Sequence, residues 1–426
     1  MAIWRERLGD IEFGVHDNFL ELGGNSLMAA QLLTRLRDAF RVHLPLSALF
    51  EAPTVAGLAA RIAALAGTGG RSPGAPAGAR RLEAARAGEA RPLSVVQERV
   101  LELARHDPEN PALHMAVALD LEGELDADVL ERALGAIVRR HEALRTVYAL
   151  RGGRFEARVE AEAAAKLERE GLDVKDWPAR ARAEIERPFD LGVSPLRAVL
   201  LRASPLRHAL LLTVHHVVAD TLSMVALVRE AAANYGALVE GGAPPLPPLA
   251  LQYADYAAWQ RASLAGGDFA AQIDFWRRRL EAPPAPLDLP SDRPRRAGGG
   301  VRGARLAFEL SPELGAKVRA FGRSEGATSF MTLLAAFNAL LARTTGADDL
   351  VVGTPVGNRD RGELEPLIGY VAHALPLRTD LAGDPDFREL VARVKQTTLE
   401  ASANADVPYE WLMRELEPRK DPGRER

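Results

Sequence analysis

Through the first 66 residues apolar positions recur at helical spacing, and from Pro92 onward short apolar runs alternate with amphipathic stretches. In DNFLELGGNSLMAAQLLTRLRDAF (17–40), Leu27, Leu32, Leu33 and Leu36 fall at roughly helical intervals, which predicts a helix with one buried face starting behind Gly23-Gly24. A proline-punctuated segment (44–54) and the amphipathic run VAGLAARIAAL (55–65) complete a small all-α unit over residues 1–66. Its opening helix, in MAIWRERLG, is short. Residues 67–91 are rich in Gly, Pro, Ala and Arg and read as a linker, with one short possible helix at Arg80–Arg86. Beyond it, MAVALDL, HALLLTVHH, ARLAFEL, LVVGTPV and ALPLRTDL read as strands, while DADVLERALGAIVRRHEAL and SFMTLLAAFNALLAR read as helices. This alternation predicts an α/β unit in two halves, 92–290 and 291–426, with the Pro-rich segment 283–294 between them. No internal repeat is evident, which argues against a solenoid.

Composition narrows the chemistry. A chain of 426 residues with 47% hydrophobic content exceeds one ordinary domain and supports sizeable cores. It has no cysteine, so disulfides, thiolate zinc sites and a cysteine nucleophile are excluded, and thiol chemistry requires an imported sulfur. A net charge of -4 and a pI near 6.2 give no field suited to nucleic acid. The linker arginines Arg71, Arg80, Arg81, Arg86 and Arg91 read as solvating charges. With no signal-peptide pattern and no membrane-spanning apolar run, the chain reads as soluble and cytoplasmic, with no membrane partner.

Two places carry candidate chemistry. Ser26 stands at the predicted N-terminus of a helix, where terminal N–H groups and the dipole favour an anionic phosphodiester, and the two glycines allow a sharp entry turn. The bland reading is a serine that only caps the helix. In HALLLTVHHVVADTLSMVALVREAAANY a buried strand ends at a His pair, followed by a loop and a helix. Neighbours on an extended chain point to opposite sides, so His215 and His216 are poorly placed to chelate one ion, and no metal site is expected. From these residues alone, both histidines also fit as strand-end hydrogen bonders, and Asp220 as a brace for the loop or a partner for an arginine.

The strings and their order resemble a nonribosomal peptide synthetase fragment, a peptidyl carrier protein followed by a condensation domain. The carrier resemblance rests on residues 17–40, with Asn25 at a position the family varies. It implies a four-helix bundle bearing 4′-phosphopantetheine covalently on Ser26, which supplies the missing thiol and is attached by a phosphopantetheinyl transferase. The condensation resemblance rests on RPLSVVQERV (91–100), RRHEALRT (139–146), HHVVADTLS (215–223) against the family's HHxxxDG, YADYAAWQR (253–261), and VVGTPVGNR (351–359) running into IGYVAHALPLR (368–378). It implies two chloramphenicol-acetyltransferase-like α/β lobes with the catalytic loop in a tunnel between them. His216 then takes the active-site position and Asp220 the structural one, with His215 beside them. Arg359 is the candidate partner of Asp220 and Arg145 the alternative. The implied reaction is peptide-bond formation between an acyl thioester on the Ser26 arm and the amine of an aminoacyl group on a downstream carrier domain. An upstream adenylation domain loads the donor. RRHEALRT and the lack of an intervening epimerisation unit suggest an L-configured donor.

Departures from the pattern touch the active loop. Thr221 and Leu222 stand where the family has Gly and often Trp, so Thr221 either takes an ordinary conformation or narrows the tunnel. Val371, Ala372, His373 and Ala374 replace the commoner Phe, Val, Asn and Thr, with His373 a tunnel-lining candidate. The resemblance further implies strands beyond Arg426, on the order of a hundred residues, so the second lobe reads as incomplete and its sheet edges as exposed. Two other functions fit the same strings: a carrier joined to a catalytically silent scaffold or recruitment lobe, and an epimerisation domain.

Overall fold

The computed structural model describes all residues except 10, 25, 41, 43, 45, 68–79, 85–90, 162–164, 283, 293–302, 360 and 417–426; at 7, 26, 27, 30, 38, 66 and 67 only the backbone is described. The linker expected at 67–91 falls mostly outside this set, and its described residues 80–84 form no regular structure. The chain divides into two compact units, one of Met1–Ala79, Asp268–Gly362 and His373–Arg426, the other of Arg80–Gly267 with Glu363–Ala372. The second unit therefore closes at Gly267, ahead of the Pro-rich segment, and takes in ten residues from the C-terminal third of the sequence.

The N-terminal region of the first unit consists of α1 (Ala2–Leu8), α2 (Ser26–Phe40), α3 (Leu46–Glu51) and α4 (Val55–Gly67). Leu32, Leu33 and Leu36 of α2 are buried with Trp4, Phe19, Leu49 and Leu58, and the Trp4 ring meets Phe19 edge-on at 5.4 Å. The turn into α2 needs its glycines. Gly23 has φ +90, and a Cβ on Gly24 would overlap the Phe19 ring, so the turn closes directly over the core.

The second unit begins with α5 (Val95–His106), β1 (His114–Glu122), α6 (Ala127–Arg140), β2 (Thr146–Arg151) and β3 (Arg154–Val159). It continues through β4 (Leu167–Gly171), α7 (Trp177–Glu186), β5 (Leu196–Ser204), β6 (Arg207–His215), α8 (Thr221–Val239) and α9 (Tyr253–Ala265). Four strands form a mixed sheet in the order β1-β6-β5-β4, with β2–β3 a separate hairpin. As an inner strand, β6 is buried along nearly its whole length, which is why HALLLTVH reads as a continuous apolar run rather than an alternation. Trp177 and Ala181 of α7 pack on Val199, Leu201, Ala209 and Leu211. The register sets His114 of β1 opposite His215 of β6.

The remainder of the first unit holds α10 (Ala270–Arg279), α11 (Pro312–Ser324), α12 (Ser329–Thr345), β7 (Asp349–Val356), β8 (His373–Asp380), α13 (Phe387–Ala403) and α14 (Tyr409–Glu415). β7 and β8 pair antiparallel, joined also by Arg378 and Asp349 at 2.6 Å. The strand expected at ARLAFEL does not form. Residues 304–310 are irregular, and Leu306 and Phe308 are 88% and 80% exposed. Alternation makes a strand only where a neighbouring edge accepts its hydrogen bonds, and among the described residues none does. Leu333, Phe337 and Leu340 of α12 are likewise exposed. No single described helix is long and apolar enough to cross a membrane.

Candidate active site

The loop 216–220 is held from both ends. β6 delivers His215 and His216, whose amides donate to Pro195 O at 2.9 Å and Leu113 O at 2.8 Å. Asp220 is the N-cap of α8 and accepts from both the amide and the hydroxyl of Ser223 at 2.8 Å. Its second oxygen accepts the amides of Val371 and Ala372 at 3.1 and 3.2 Å. The buried carboxylate thus has three amides and a hydroxyl turned on it.

His216 carries the open chemistry. A ring nitrogen facing a carbonyl must be the protonated one, so Nδ1–H donates to Ala219 O at 2.8 Å. Nε2 is left with a free lone pair and no hydrogen-bond partner among the described residues. Burial lowers the pKa of the imidazole, while the Ala219 bond and Asp220 act the other way, so the ring is neutral near pH 7. One face stacks on Tyr370, centroids 4.0 Å apart and planes 25° from parallel. His215 turns the opposite way, toward Phe189 and His114 at 5.8 and 5.9 Å. Its Nδ1 accepts the Val217 amide at 3.2 Å, and burial pushes its pKa down to about 3. No three potential metal ligands cluster among the described residues.

The segment 368–372, far along the sequence, is bound to this loop by residues of four other strings. Ser223 Oγ accepts the Gly369 amide at 3.1 Å and shares its single proton between Asp220 and Gly369 O, the latter at 2.9 Å. His141 bridges Glu230 at 2.9 Å and the Ile368 amide at 3.4 Å. Tyr253 donates to Tyr370 O at 2.7 Å and, with its own proton so used, accepts from Ser94 Oγ at 2.8 Å. Gln97 donates to Val217 O at 3.1 Å and to Tyr148 at 3.0 Å. Gln97, Tyr148 and Tyr253 also line a cavity of about 450 Å³ with Arg91, Leu93 and Glu142. Ser223, Tyr253, Gln97, His141 and Tyr370 were not singled out from sequence. Their motifs were visible, but which member turned inward was not.

Thr221 is the first residue of α8, is exposed, and is absent from the non-glycine residues with positive φ, so the ordinary conformation is the one it takes. Arg145 donates to Glu160 O at 2.6 Å and lies 3.8 Å from Glu142, engaged away from Asp220. Arg359 follows β7 in the first unit, and His373 is buried at the start of β8 opposite Val356. Ser26 is the first residue of α2, directly after the glycine turn, so its backbone place fits a covalently held phosphodiester; its side chain lies outside the described set.

An α/β unit with a neutral histidine at the end of β6, in a chain that opens with four helices, is the class this arrangement defines. The Condensation domain model matches residues 88–426, and the Phosphopantetheine attachment site model matches residues 1–62. The chain belongs to the condensation-domain family, joined to a carrier domain that bears covalent 4′-phosphopantetheine. It is 42% identical to one of the linear gramicidin synthase proteins of Brevibacillus parabrevis over 98% of its length, covering 8% of that protein. It is 40% identical to phosphinothricin tripeptide synthetase PhsB of Streptomyces viridochromogenes over 99% of its length, covering 36% of that protein. The chain thus spans a minor part of these relatives. Among solved structures, the X-domain from teicoplanin biosynthesis in complex with OxyB matches with TM-score 0.76 and 37% identity, over 82% of this chain and 78% of that one. The first condensation domain of the calcium-dependent antibiotic synthetase, with a substrate analogue, matches with TM-score 0.65 and 25% identity, over 78% of each chain. The expected chloramphenicol-acetyltransferase-like fold and the membership in peptide synthetases both hold.

Proposed function

We propose that this chain holds an aminoacyl or peptidyl thioester on Ser26 and joins it to the amine of an aminoacyl group on a downstream carrier, with His216 as the catalytic residue. The carrying observation is the orientation of His216: Nδ1–H committed to Ala219 O, Nε2 open, the ring neutral. When bound, phosphopantetheine supplies the thiol that carries the acyl group. Nε2 orients the incoming amine, takes its proton as the C–N bond forms, and returns that proton to the sulfur as the C–S bond breaks, so His216 ends the step neutral. An α-amine has a pKa of roughly 7.7 to 8.0, so part of it is already neutral and a strong base is unnecessary. Proton transfer of this kind contributes about 10²- to 10⁴-fold. Asp220 and its amide donors keep the loop in place. A phosphopantetheinyl transferase and an upstream adenylation domain are the proposed loading partners.

A second reading is favoured by the X-domain likeness, since that domain was solved in complex with OxyB. On it, residues 88–426 recruit a partner protein and form no bond. His216→Ala separates the two: it leaves Ser26 loading intact and removes product on the first reading, whereas on the second no variant yields product. Exchange of the donor α-proton without product would instead assign epimerisation.

A further inference from the structure

The Tyr370 ring rests on His216, and the backbone beneath that ring is tied down on every side. Gly369 exchanges two hydrogen bonds with Ser223 Oγ, Tyr370 O accepts from Tyr253, and Val371 and Ala372 donate to Asp220. Gly369 also lacks the Cβ that would collide with the Tyr253 ring, so Tyr253 lies flush against this strip. All these anchors reach the main chain of 369–372. The half-buried Tyr370 side chain contributes to none of them.

We propose that Tyr370 is a positioning residue for His216: its ring closes one face of the imidazole, fixes the ring plane together with the Ala219 bond, and leaves the Nε2 edge as the approach for the amine. The inference rests on the condensation reading for its catalytic consequence, not for its geometric one. An imidazole held through the Ala219 bond can still swing about its side-chain torsions, and a stacked ring removes that freedom. The same ring keeps water from one face of the base, in line with the burial that lowers its pKa. Among the described residues, the titratable groups placed against His216 are Asp220 from the loop, His215 from β6, the phenol of Tyr370, and Tyr253 of α9 behind the Tyr370 carbonyl. Of these, only Asp220 raises its pKa, and it stays in place when the Tyr370 side chain is cut back.

The test is the titration of the His216 ring by histidine-selective NMR in wild type, Tyr370→Phe, Tyr370→Leu and Tyr370→Ala, followed by kcat and KM against pH. In Tyr370→Phe the stacked ring and its titration are kept. In Tyr370→Leu and Tyr370→Ala the pKa rises toward the ordinary histidine value, the acid limb of kcat moves to higher pH, and kcat above that limb falls about 10- to 100-fold with KM little changed. A Tyr370→Ala titration identical to wild type, or a Tyr370→Phe profile matching Tyr370→Ala, overturns the proposal. The NMR readout needs no turnover. Absence of product from every variant would count against the condensation reading, while the titration would still decide the role of Tyr370.

Discussion

Asp220 accepts the amide of Val371 at 3.1 Å across 151 residues of sequence, and the amide of Ala372 at 3.2 Å across 152. One carboxylate thereby caps α8 and fastens the strip that carries Tyr370. In Asp220→Ala two buried amides and one part-buried amide lose their acceptor. A lost N-cap costs about 1 kcal/mol and each orphaned buried donor about 1 kcal/mol or more, so urea unfolding is expected to show a loss of about 3 kcal/mol. Asp220→Asn, which keeps one acceptor oxygen, should recover part of it. A loss well under 1 kcal/mol in Asp220→Ala would show that the amides find other acceptors.

Gly369 is the closest approach in this strip. A methyl group there meets the Tyr253 ring and forces it away from Tyr370 O. Gly369→Ala is expected to destabilise the protein by about 1–3 kcal/mol, the usual range for overpacking. Combining it with Tyr253→Ala should cost less than the two single changes together, because the obstructed ring is gone. Strict additivity in thermal unfolding would place the added methyl elsewhere.

Stability should also depend on pH through His215. Its folded pKa of about 3 lies below the value of roughly 6.5 for an unfolded histidine. Above pH 6.5 both states are neutral at this group and nothing is lost. As pH falls from about 6.5 to about 3 the unfolded chain takes up a proton the folded one refuses, removing roughly 1 kcal/mol per pH unit. His215→Asn should flatten this part of the curve relative to wild type, measured by denaturant titration between pH 4 and 7. Parallel curves would show that His215 accepts a proton while folded.

How much of this was legible beforehand follows from where each signal lives. Helices α6 and α12 announced themselves by period and by the caps Asp126 and Thr328, which bond the first-turn amides. His216 and Asp220 stand four residues apart in one string, so a local pattern is enough to single them out as candidates. Tyr370, Ser223 and Tyr253 act through one another across long stretches of chain, and nothing within IGYVAHALPLR says that Tyr370, rather than its altered neighbours Val371 to Ala374, meets the imidazole. ARLAFEL failed for the reverse reason: its alternation is a property of one segment, while a strand is a property of two.

Glu184 offers a check remote from the loop. Its buried carboxylate is held by Arg197 at 2.6 Å, Arg180 at 3.0 Å and Arg187 at 3.1 Å, and Arg197 lies 3.7 Å over the Phe189 ring, which in turn meets His215 edge-on. Arg180 keeps Glu170 and Arg187 keeps Glu168, but the more buried Arg197 loses its carboxylate, so Glu184→Ala is expected to cost about 3 kcal/mol. Chemical denaturation measures this directly, and a cost within about 1 kcal/mol would mean that solvent already screens the cluster.

The most direct test is mass-spectrometric detection of product after loading Ser26 with an aminoacyl-pantetheine and adding a soluble aminoacyl thioester acceptor, with wild type, His216→Ala and Ser26→Ala side by side. The expected result is amide product from wild type, loading without product from His216→Ala, and neither from Ser26→Ala. Equal product from wild type and His216→Ala would contradict the assignment of His216 as the group that receives the proton of the amine.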